Sequence, residues 1–228
     1  MISKNCITCG SKFDTEEIQI GSKKISFVNY CDPCVEKRTA EAQADAEQQR
    51  KDALESVFWS SVPPLYRETD PSILNPILTR DVLSWEYQPK GIGIRGKSGM
   101  QKTRAAVMLL YKIKMQGHSV YFLKSTDIAR YATDKFSNDR ETQDSALKAI
   151  RSAHTARVLL IDDIGKGRLS NAAEELLYDI LDKRSERQIP VIWTSNSTST
   201  QLHDMMSEDR GDAIIRRLAE FSHKIVTI

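Results

Sequence analysis

The chain has 228 residues, with 33 lysines and arginines against 31 aspartates and glutamates, so its net charge is +2 at pH 7. This length allows one large domain, or a standard domain with a small one, and the balanced charge excludes a uniformly basic surface. Any contact with nucleic acid must therefore come from a local patch. Because no apolar run reaches membrane-spanning length and the first residues lack a signal-peptide core, we expect no membrane partner and a cytoplasmic location.

All four cysteines lie at the beginning of the chain, in two Cys-x-x-Cys pairs: Cys6, Cys9, Cys31 and Cys34. In a chain without a secretory signal, this pattern indicates a tetrahedral Zn²⁺ site rather than disulfides, although a redox pair is an alternative. Strand-like segments at residues 17–20 and 24–29 predict a hairpin between the pairs. We therefore predict a zinc-binding module over residues 1–36 that is folded largely by the metal and has a structural role.

A charged segment follows the second cysteine pair, over residues 37–60. It is rich in alanine, glutamate, glutamine, lysine and arginine and has almost no apolar periodicity, which predicts a solvated helical linker. A coiled coil is an alternative, but the segment lacks apolar residues at the a and d positions. Pro63 and Pro64 then end the helix, and an irregular lead-in opens a larger domain over residues 61–228.

The apolar run over residues 91–95 leads into the sequence Gly-Lys-Ser-Gly-Met-Gln-Lys-Thr and then into a helical pattern. This order predicts a phosphate-binding loop, in which backbone N–H groups and the positive helix end surround a nucleotide's phosphates. Lys102 would reach the β- and γ-phosphate oxygens, and Thr103 would ligate Mg²⁺. Gln101 stands where glycine is usual, which puts turnover in doubt more than binding. The candidate nucleotide-binding residues of this loop are Gly96, Gly99, Met100, Gln101, Lys102, Thr103 and Arg104.

Two further segments, which follow the phosphate-binding loop along the chain at spacings that suit a parallel α/β sheet, complete a nucleotide site. The apolar run over residues 158–161 ends in Asp162 and Asp163, the Walker B form of a central parallel strand. Asp162 would hold Mg²⁺, directly or through water, and Asp163 would orient the attacking water. A later apolar strand ends near Asn196, which is placed to sense the γ-phosphate. These residues together predict a site for ATP and Mg²⁺.

From the phosphate-binding loop onward, the sequence alternates strands and helices. The predicted strands cover residues 91–95, 119–123, 158–161, 191–194 and 224–228. The predicted helices cover residues 103–116, 126–131, 143–154, 171–187, 200–206 and 212–221. Five strands with crossover helices imply a three-layer parallel α/β sheet that binds nucleotide at the carboxyl ends of its strands. Because the chain stops at the fifth strand, we expect no helical lid. Separately, Tyr66 or Arg67 of the lead-in is a candidate contact to the adenine base.

The order of these motifs resembles the DnaC/DnaI-type AAA+ ATPases, the bacterial and phage replicative helicase loaders, with the IstB transposition helpers as close relatives. The matching segments, besides the cysteine module and the linker, are Gly96-x4-Gln101-Lys102-Thr103-Arg104, Leu160-Ile-Asp162-Asp163-Ile-Gly165, Tyr178-x4-Lys183-Arg184, Pro190-x3-Thr194-Ser195-Asn196 and Ala213-Ile-Ile-Arg216-Arg217-Leu218. The resemblance covers essentially the whole chain. It implies a P-loop AAA+ core that binds ATP between subunits, single-stranded DNA along the assembly, and a hexameric replicative helicase engaged by the zinc module.

The family pattern also implies catalytic roles for Asp163, Asn196 and one arginine on the helix before the last strand. Arg217 best matches the expected arginine finger, while Arg216 and Arg210 are near enough in sequence to compete. An arginine finger acts on the nucleotide of a neighbouring subunit, so this role requires self-association.

A candidate nucleic-acid segment follows the second predicted strand of the core. It interleaves basic and aromatic residues, which suits phosphate neutralisation and base stacking, although acidic neighbours make a plain surface helix an equal alternative. The residues concerned are Lys124, Arg130, Tyr131, Lys135 and Phe136. We therefore expect an ATP-dependent loader of the replicative helicase in DNA replication. A non-hydrolysing adaptor switched by ATP and an IstB-like transposition helper are the alternatives.

Overall fold

The computed structural model describes residues 1–20 and 22–228, and it divides into two compact units, Met1–Ala53 and Leu54–Ile228. Each unit has its own secondary structure and is described by itself below. The division near residue 53 differs from the predicted three segments 1–36, 37–60 and 61–228, and those segment boundaries stay predictions.

Two small antiparallel strand pairs form the first part of unit 1. Strand β1 (Ile2–Asn5) pairs with β2 (Lys12–Thr15), and β3 (Ile18–Ile20) pairs with β4 (Lys23–Ile25). The second pair is the hairpin predicted between the cysteine pairs, with shorter strands, and Gly21 within that predicted hairpin lies outside the described residues. The first pair was not predicted, because β1 and β2 have no run of apolar residues.

Helix α1 (Asp32–Ser61) contains the charged segment and is 30 residues long. It begins with an aspartate followed by a proline, residue types that suit the first turn of a helix. Its residues are mostly exposed, and Phe58 near its end is buried. The predicted solvated helix therefore exists, with a start before residue 37 and an end two residues before the first of the prolines.

The rest of unit 2 alternates helices and strands after a short lead-in. Its elements are α2 (Pro76–Asp81), β5 (Gly91–Arg95), α3 (Lys102–Met115), β6 (Val120–Lys124), α4 (Ser125–Asp134), α5 (Arg140–Thr155), β7 (Val158–Ile164), α6 (Asn171–Glu186), β8 (Val191–Ser195), α7 (Ser199–Asp204), α8 (Glu208–Glu220) and β9 (Ser222–Thr227). The five strands form one parallel sheet in the order β6-β7-β8-β5-β9. The predicted three-layer parallel α/β fold is thereby confirmed.

The sheet separates two apolar clusters, which explains the continuous apolar runs of its central strands. One cluster packs the buried side of α3, including Leu109 and Leu110, with Ile92 and Ile94 of β5. The other contains residues of α4, α6 and α8 together with Leu159 and Ile161 of β7. The residue between these two belongs to the first cluster, so adjacent residues of β7 face opposite layers. The loops at the carboxyl ends of these strands carry the polar residues considered below.

The lead-in is more regular than the sequence analysis predicted. It contains two 3₁₀ turns, Pro64–Tyr66 and Pro71–Ile73, before helix α2. Asp70 and Asn75 precede prolines and accept hydrogen bonds from backbone N–H groups two residues later, which starts the second turn and α2 respectively. Its aromatic neighbours pack on the core as predicted, with Phe58 1% exposed.

Arg184, which belongs to one of the family-like motifs, has a purely structural environment. Its guanidinium is completely buried and donates to the carbonyl oxygens of Ala153, Ala156 and Pro190 at 2.7–2.9 Å. These bonds join the end of α6 to the end of α5 and the start of β8, so Arg184 supports the sheet rather than a reaction. Over the described part of the chain, no helix combines the length and the apolarity needed to cross a membrane.

Candidate nucleotide site and cysteine cluster

The phosphate-binding loop lies between β5 and α3, and two of its glycines are required by geometry. A β-carbon on Gly96 would lie 2.2 Å from the carbonyl oxygen of Ile228, so no larger residue fits there without a backbone shift. Gly99 has a φ of 83°, a left-handed conformation that side chains disfavour. The strand–loop–helix context predicted for this motif is therefore present.

Gln101, the unusual residue of the loop, also has a left-handed backbone, with φ 60° and ψ 17°. Its side chain does not cap α3. Instead, its Oε1 accepts a hydrogen bond from the backbone N–H of Asn75 at 3.2 Å. Because Asn75 begins helix α2, the side chain that replaces the usual glycine connects the phosphate-binding loop to the lead-in.

This arrangement predicts opposing effects of two substitutions at Gln101. Gln101→Ala loses the hydrogen bond and keeps the backbone strain, so we expect a loss of about 0.5–1.5 kcal/mol in the free energy of unfolding. Gln101→Gly loses the same bond but relieves the left-handed strain, which is worth about 1–2 kcal/mol. Urea denaturation should therefore find the glycine variant at least as stable as the parent. Equal stability of the two variants would show that no strain is present.

Lys102 lies at the start of α3 and is buried to 6% exposure. Its ammonium group donates to the carbonyl oxygen of Lys97 at 2.7 Å and to Oδ1 of Asn196 at 2.6 Å. Burial lowers the pKa of Lys102, while the nearby carboxylates of Asp162 and Asp163 act in the opposite direction. The loop lysine and the predicted sensor are thus direct hydrogen-bond partners.

The predicted Mg²⁺ ligands are also adjacent. The hydroxyl of Thr103 donates to Oδ1 of Asp162 at 2.7 Å, and the hydroxyl of Thr194 donates to the same oxygen at 2.7 Å. Asp162 is 5% exposed, and this burial raises its pKa. A carboxylate and a hydroxyl side by side at the start of a helix suit a hard, oxygen-binding cation, so Thr103 and Asp162 fit the ion that was predicted.

Asp163 and Asn196 form the other half of the site. Nδ2 of Asn196 donates to Oδ1 of Asp163 at 2.7 Å, and the ammonium of Lys166 lies 3.5 Å from Oδ2. Lys102, Asn196 and Asp163 are therefore connected in one chain of hydrogen bonds. These hydrogen bonds bring together residues from the phosphate-binding loop, the end of β7 and the end of β8, the three segments in which the motifs lie.

A cavity of about 370 Å³ opens over these residues, a volume within the usual range for small-molecule sites. Its lining contains Leu65, Tyr66, Ser98, Gly99, Gln101, Lys102, Thr103, Arg104, Asp163, Thr194 and Asn196. Tyr66 is half-buried and its pKa is raised by that burial. Arg67, the alternative adenine contact, is absent from this lining and donates to the carbonyl oxygen of Trp59.

The structure places the remaining predicted residues in different surroundings. Arg104 lines the cavity and also donates to the carbonyl oxygen of Leu65 and the hydroxyl of Thr69. Arg217 is not part of the lining, and its guanidinium donates to Oδ1 of Asp182 at 2.5 Å. Its competitor Arg210 donates to a carbonyl oxygen on α6, and Arg216 is exposed.

The four cysteines of unit 1 form a compact cluster, in which the Sγ atoms all lie within 4.8 Å of one another. The thiols of Cys9 and Cys31 lie 3.6 Å apart. Backbone N–H groups of Cys31 and Cys9 lower the pKa of Cys6 to about 6, whereas the adjacent thiols of Cys9 and Cys31 raise the pKa of Cys34 to about 12. Such crowding of thiols fits a divalent cation, which would stabilise all four thiolates.

The candidate nucleic-acid residues lie at the end of β6 and along α4. Phe136 is 75% exposed, and the ammonium of Lys135 lies 4.9 Å from its ring centre. Arg130 lies over the ring of Tyr131 at 4.9 Å and also contacts Asp127, while Lys124 is exposed. Cationic groups and aromatic rings are therefore adjacent in two places, at Arg130 with Tyr131 and at Lys135 with Phe136.

Sequence reasoning missed several residues that hold the site together. Thr194 was named only as part of a strand end, yet its hydroxyl contacts Asp162 and the backbone of Asp163. Ser125 donates to the carbonyl oxygen of Asp163 at 2.6 Å, and Asn75 binds Gln101. Thr194 could have been inferred from its position beside the aspartates in a parallel sheet, whereas Ser125 and Asn75 carry no recognisable motif.

Comparison with protein families gives a match to the model described as IstB-like ATP binding protein, over residues 66–228. This range contains the phosphate-binding loop and all the lining residues of the cavity except Leu65, and it excludes the four cysteines. The chain belongs to the IstB-like ATP-binding protein family. The presence of an ATP-binding domain in unit 2 follows from this membership, and the cavity above is the place in the fold where its phosphate-binding motif lies.

The chain is also similar to curated proteins. The chain is 25% identical over 113 residues to the replicative helicase loader DnaC of Escherichia coli K12, which is 50% of this chain and 45% of that protein. It therefore spans about half the length of the curated relatives it matches.

Among solved structures, a crystal structure of DnaI has a TM-score of 0.57 and 17% identity, covering 73% of this chain and 91% of that one. A crystal structure of the DnaC helicase loader has a TM-score of 0.53 and 21% identity, covering 75% and 98%. At these identities the likeness establishes the fold alone, which this chain shares with DnaI and the DnaC helicase loader.

Proposed function

We propose that this IstB-like ATP-binding protein is an ATP-dependent loader of a replicative DNA helicase. The observation that carries the proposal is its similarity to the E. coli replicative helicase loader DnaC, in a chain that belongs to an ATP-binding family. The fold similarity to DnaI and to the DnaC helicase loader agrees with it. The assembled phosphate-binding loop and aspartates supply the site that such an activity needs.

In this proposal ATP occupies the cavity over the phosphate-binding loop. The ammonium of Lys102 and the backbone N–H groups at the start of α3 bind its phosphates, and Thr103 and Asp162 hold Mg²⁺. Bound Mg²⁺ would neutralise charge on the phosphates. Asp163 orients the attacking water, and Asn196, which bonds both Asp163 and Lys102, senses the γ-phosphate. Gln101 makes turnover slow enough for ATP to act as a switch.

We further propose that the four-cysteine cluster binds one Zn²⁺ and that unit 1 contacts the helicase hexamer. Zinc with Zn–S bonds of about 2.3 Å places its sulfurs roughly 3.8 Å apart, close to the separation of Cys9 and Cys31. The unit has short strands and several exposed apolar side chains, among them Ile7 and Phe27. A metal would therefore supply much of its folding free energy.

The zinc proposal predicts a local effect of Cys9→Ser. Loss of one thiolate should release the metal and unfold the strand pairs of unit 1, while ATP affinity stays unchanged because unit 2 has its own core. Metal analysis and hydrogen exchange would measure both effects. Thr8→Ala, which changes an exposed residue between the same two ligands, is the control and should keep its zinc. A global loss of nucleotide binding in Cys9→Ser would contradict this separation.

Single-stranded DNA is proposed to contact the surface of α4, with Phe136 as a stacking residue. Phe136→Ala should weaken oligonucleotide binding by about tenfold, because base stacking on an aromatic ring contributes roughly 1–3 kcal/mol. Fluorescence anisotropy with a labelled oligothymidylate would measure the affinity. Leu147→Ala removes another exposed apolar side chain, on α5, and should bind like the parent. Equal binding by the Phe136 and Leu147 variants would exclude stacking at this position.

Self-association through unit 2 is proposed because an arginine finger needs a neighbouring nucleotide site. Arg217 is the proposed finger, and its contact with Asp182 in the single chain would have to open in the assembly. Its substitution is considered in the Discussion.

The proposed function is tested with the host's replicative helicase and single-stranded DNA coated with its binding protein. Addition of this protein and ATP should increase the fraction of helicase that unwinds the substrate, and protein lacking zinc should fail to bind the helicase. Loading of the helicase without measurable ATP hydrolysis would favour the non-hydrolysing adaptor. Failure to bind the helicase under any nucleotide condition would exclude a loader.

A further inference from the structure

Asp163 has an unusual backbone for a residue inside a strand. Its φ is 62°, in the left-handed region, and it lies where the pairing of β7 with β8 is irregular. Ile161 pairs with Trp193 and Ile164 pairs with Ser195, so Asp162 and Asp163 together lie opposite the single residue Thr194. This is a β-bulge, a feature that redirects a side chain and that persists only where the surroundings stabilise it.

Two buried hydroxyl groups bond the backbone of Asp163, one at its N–H and the other at its carbonyl oxygen. The N–H of Asp163 donates to Oγ1 of Thr194 at 2.8 Å, and the hydroxyl of Ser125 donates to the carbonyl oxygen of Asp163 at 2.6 Å. Ser125 is 3% exposed and Thr194 is 1% exposed, so water does not compete for these bonds. Thr194 also donates to the carboxylate of Asp162, which gives it a role in the cation site.

The bulge determines where the Asp163 carboxylate points. The carboxylate lines the nucleotide cavity and accepts a hydrogen bond from Asn196, rather than following the alternation of a regular strand. A residue that orients a water for attack must be held close to one position, because a displacement of about 1 Å can lower a rate about 100-fold. The hydrogen bond from Ser125 is therefore well placed to affect the reaction without touching the nucleotide.

We propose that Ser125 is a positioning residue for Asp163, holding its carbonyl oxygen so that the bulge keeps the carboxylate in the nucleotide cavity. This inference rests on the proposed function, since it concerns ATP hydrolysis. Ser125 is also the first residue of α4, the helix that carries the candidate nucleic-acid residues. The Ser125 hydroxyl thus links the orientation of the Asp163 carboxylate to the position of that helix.

The test compares Ser125→Ala with Ser125→Thr and with Ser195→Ala. The hydroxyl of Ser195 is likewise buried, donates to the carbonyl oxygen of Ile164 at 2.6 Å and accepts from the N–H of Ser197, so Ser195→Ala removes the same kind of bond one residue beyond Asp163, together with a second bond. We expect Ser125→Ala to lower kcat by about 10- to 100-fold with KM for ATP within about twofold of the parent. Ser125→Thr, which keeps the hydroxyl, should recover most of the activity, and Ser195→Ala should lose less than about threefold.

A second measurement does not depend on hydrolysis. In ligand-free protein, amide hydrogen exchange at Asp163 should be at least about tenfold faster in Ser125→Ala than in the parent, since loss of the bond to the carbonyl oxygen lets the bulge open more often and break the bond from the Asp163 N–H to Thr194. Unchanged exchange, or equal losses of kcat in Ser125→Ala and Ser195→Ala, would overturn the positioning role. A parent protein without any ATPase activity would instead reject the proposed hydrolysis, and the exchange measurement would still decide the role of Ser125.

Discussion

Lys102→Ala should lose at least about 100-fold in affinity for ATP, equivalent to roughly 2.8 kcal/mol. Lys102 is the buried cation of the phosphate-binding loop, and its ammonium is largely shielded from water. Charge-assisted hydrogen bonds to phosphate are strong in such a setting, and the loop has already exchanged one flexible glycine for Gln101. Titration calorimetry with a non-hydrolysable ATP analogue would measure the affinity.

Lys97→Ala is the matched control for this experiment. Lys97 belongs to the same loop and carries the same charge, but its side chain is exposed and only its backbone carbonyl contacts Lys102. The control should bind the analogue nearly as well as the parent. If both variants lose affinity equally, the loop attracts phosphate through its general charge, and the specific role of Lys102 is wrong.

Arg217→Ala should leave ATP affinity nearly unchanged and lower ATP hydrolysis by about 10³-fold, the range found for arginine fingers. A finger stabilises charge that develops only in the transition state, so its loss appears in kcat rather than in binding. The variant also removes the ion pair with Asp182. Asp182→Asn serves as the control, because it weakens that pair while keeping Arg217, and it should retain hydrolysis.

Mixed assemblies provide a sharper test of the shared site. Neither Arg217→Ala nor Asp163→Asn protein should be active alone, yet some interfaces in a mixture would combine an intact Asp163 with an intact Arg217 from the neighbour. Activity should therefore partly return on mixing. A mixture as inactive as its components would exclude the shared site. The same experiment with Arg216→Ala and Arg210→Ala decides between the competing arginines.

The sequence predicted the core of unit 2 well, because its strands are buried on both faces. Val158 to Ile161 and Val191 to Trp193 are unbroken apolar runs, and each ends in the polar residues that meet at the sheet edge. The phosphate-binding loop was predictable for a similar reason, since its residue types follow from the chemistry of phosphate. Local patterns therefore located Lys102, Thr103, Asp162, Asp163 and Asn196 before any contact was known.

Features that depend on distant partners were not predictable. The left-handed conformation of Asp163 follows from hydroxyls on β8 and α4, which are 31 and 38 positions away along the chain. The contact of Gln101 with Asn75 and that of Arg217 with Asp182 likewise join separate elements. In unit 1, the β1–β2 pair contains no apolar alternation, so its formation depends on the tertiary arrangement around the cysteines rather than on strand propensity.

Because the ammonium of Lys102 is already hydrogen-bonded, a nucleotide phosphate would have to replace one of its acceptors. The ammonium has two acceptors in this structure, the carbonyl oxygen of Lys97 and the amide oxygen of Asn196. A phosphate that replaced the amide oxygen of Asn196 would free that end of the side chain, whose amide nitrogen donates to Asp163. In the proposed function, the arrival of the nucleotide would thus reach the Asp163 carboxylate through a single asparagine side chain.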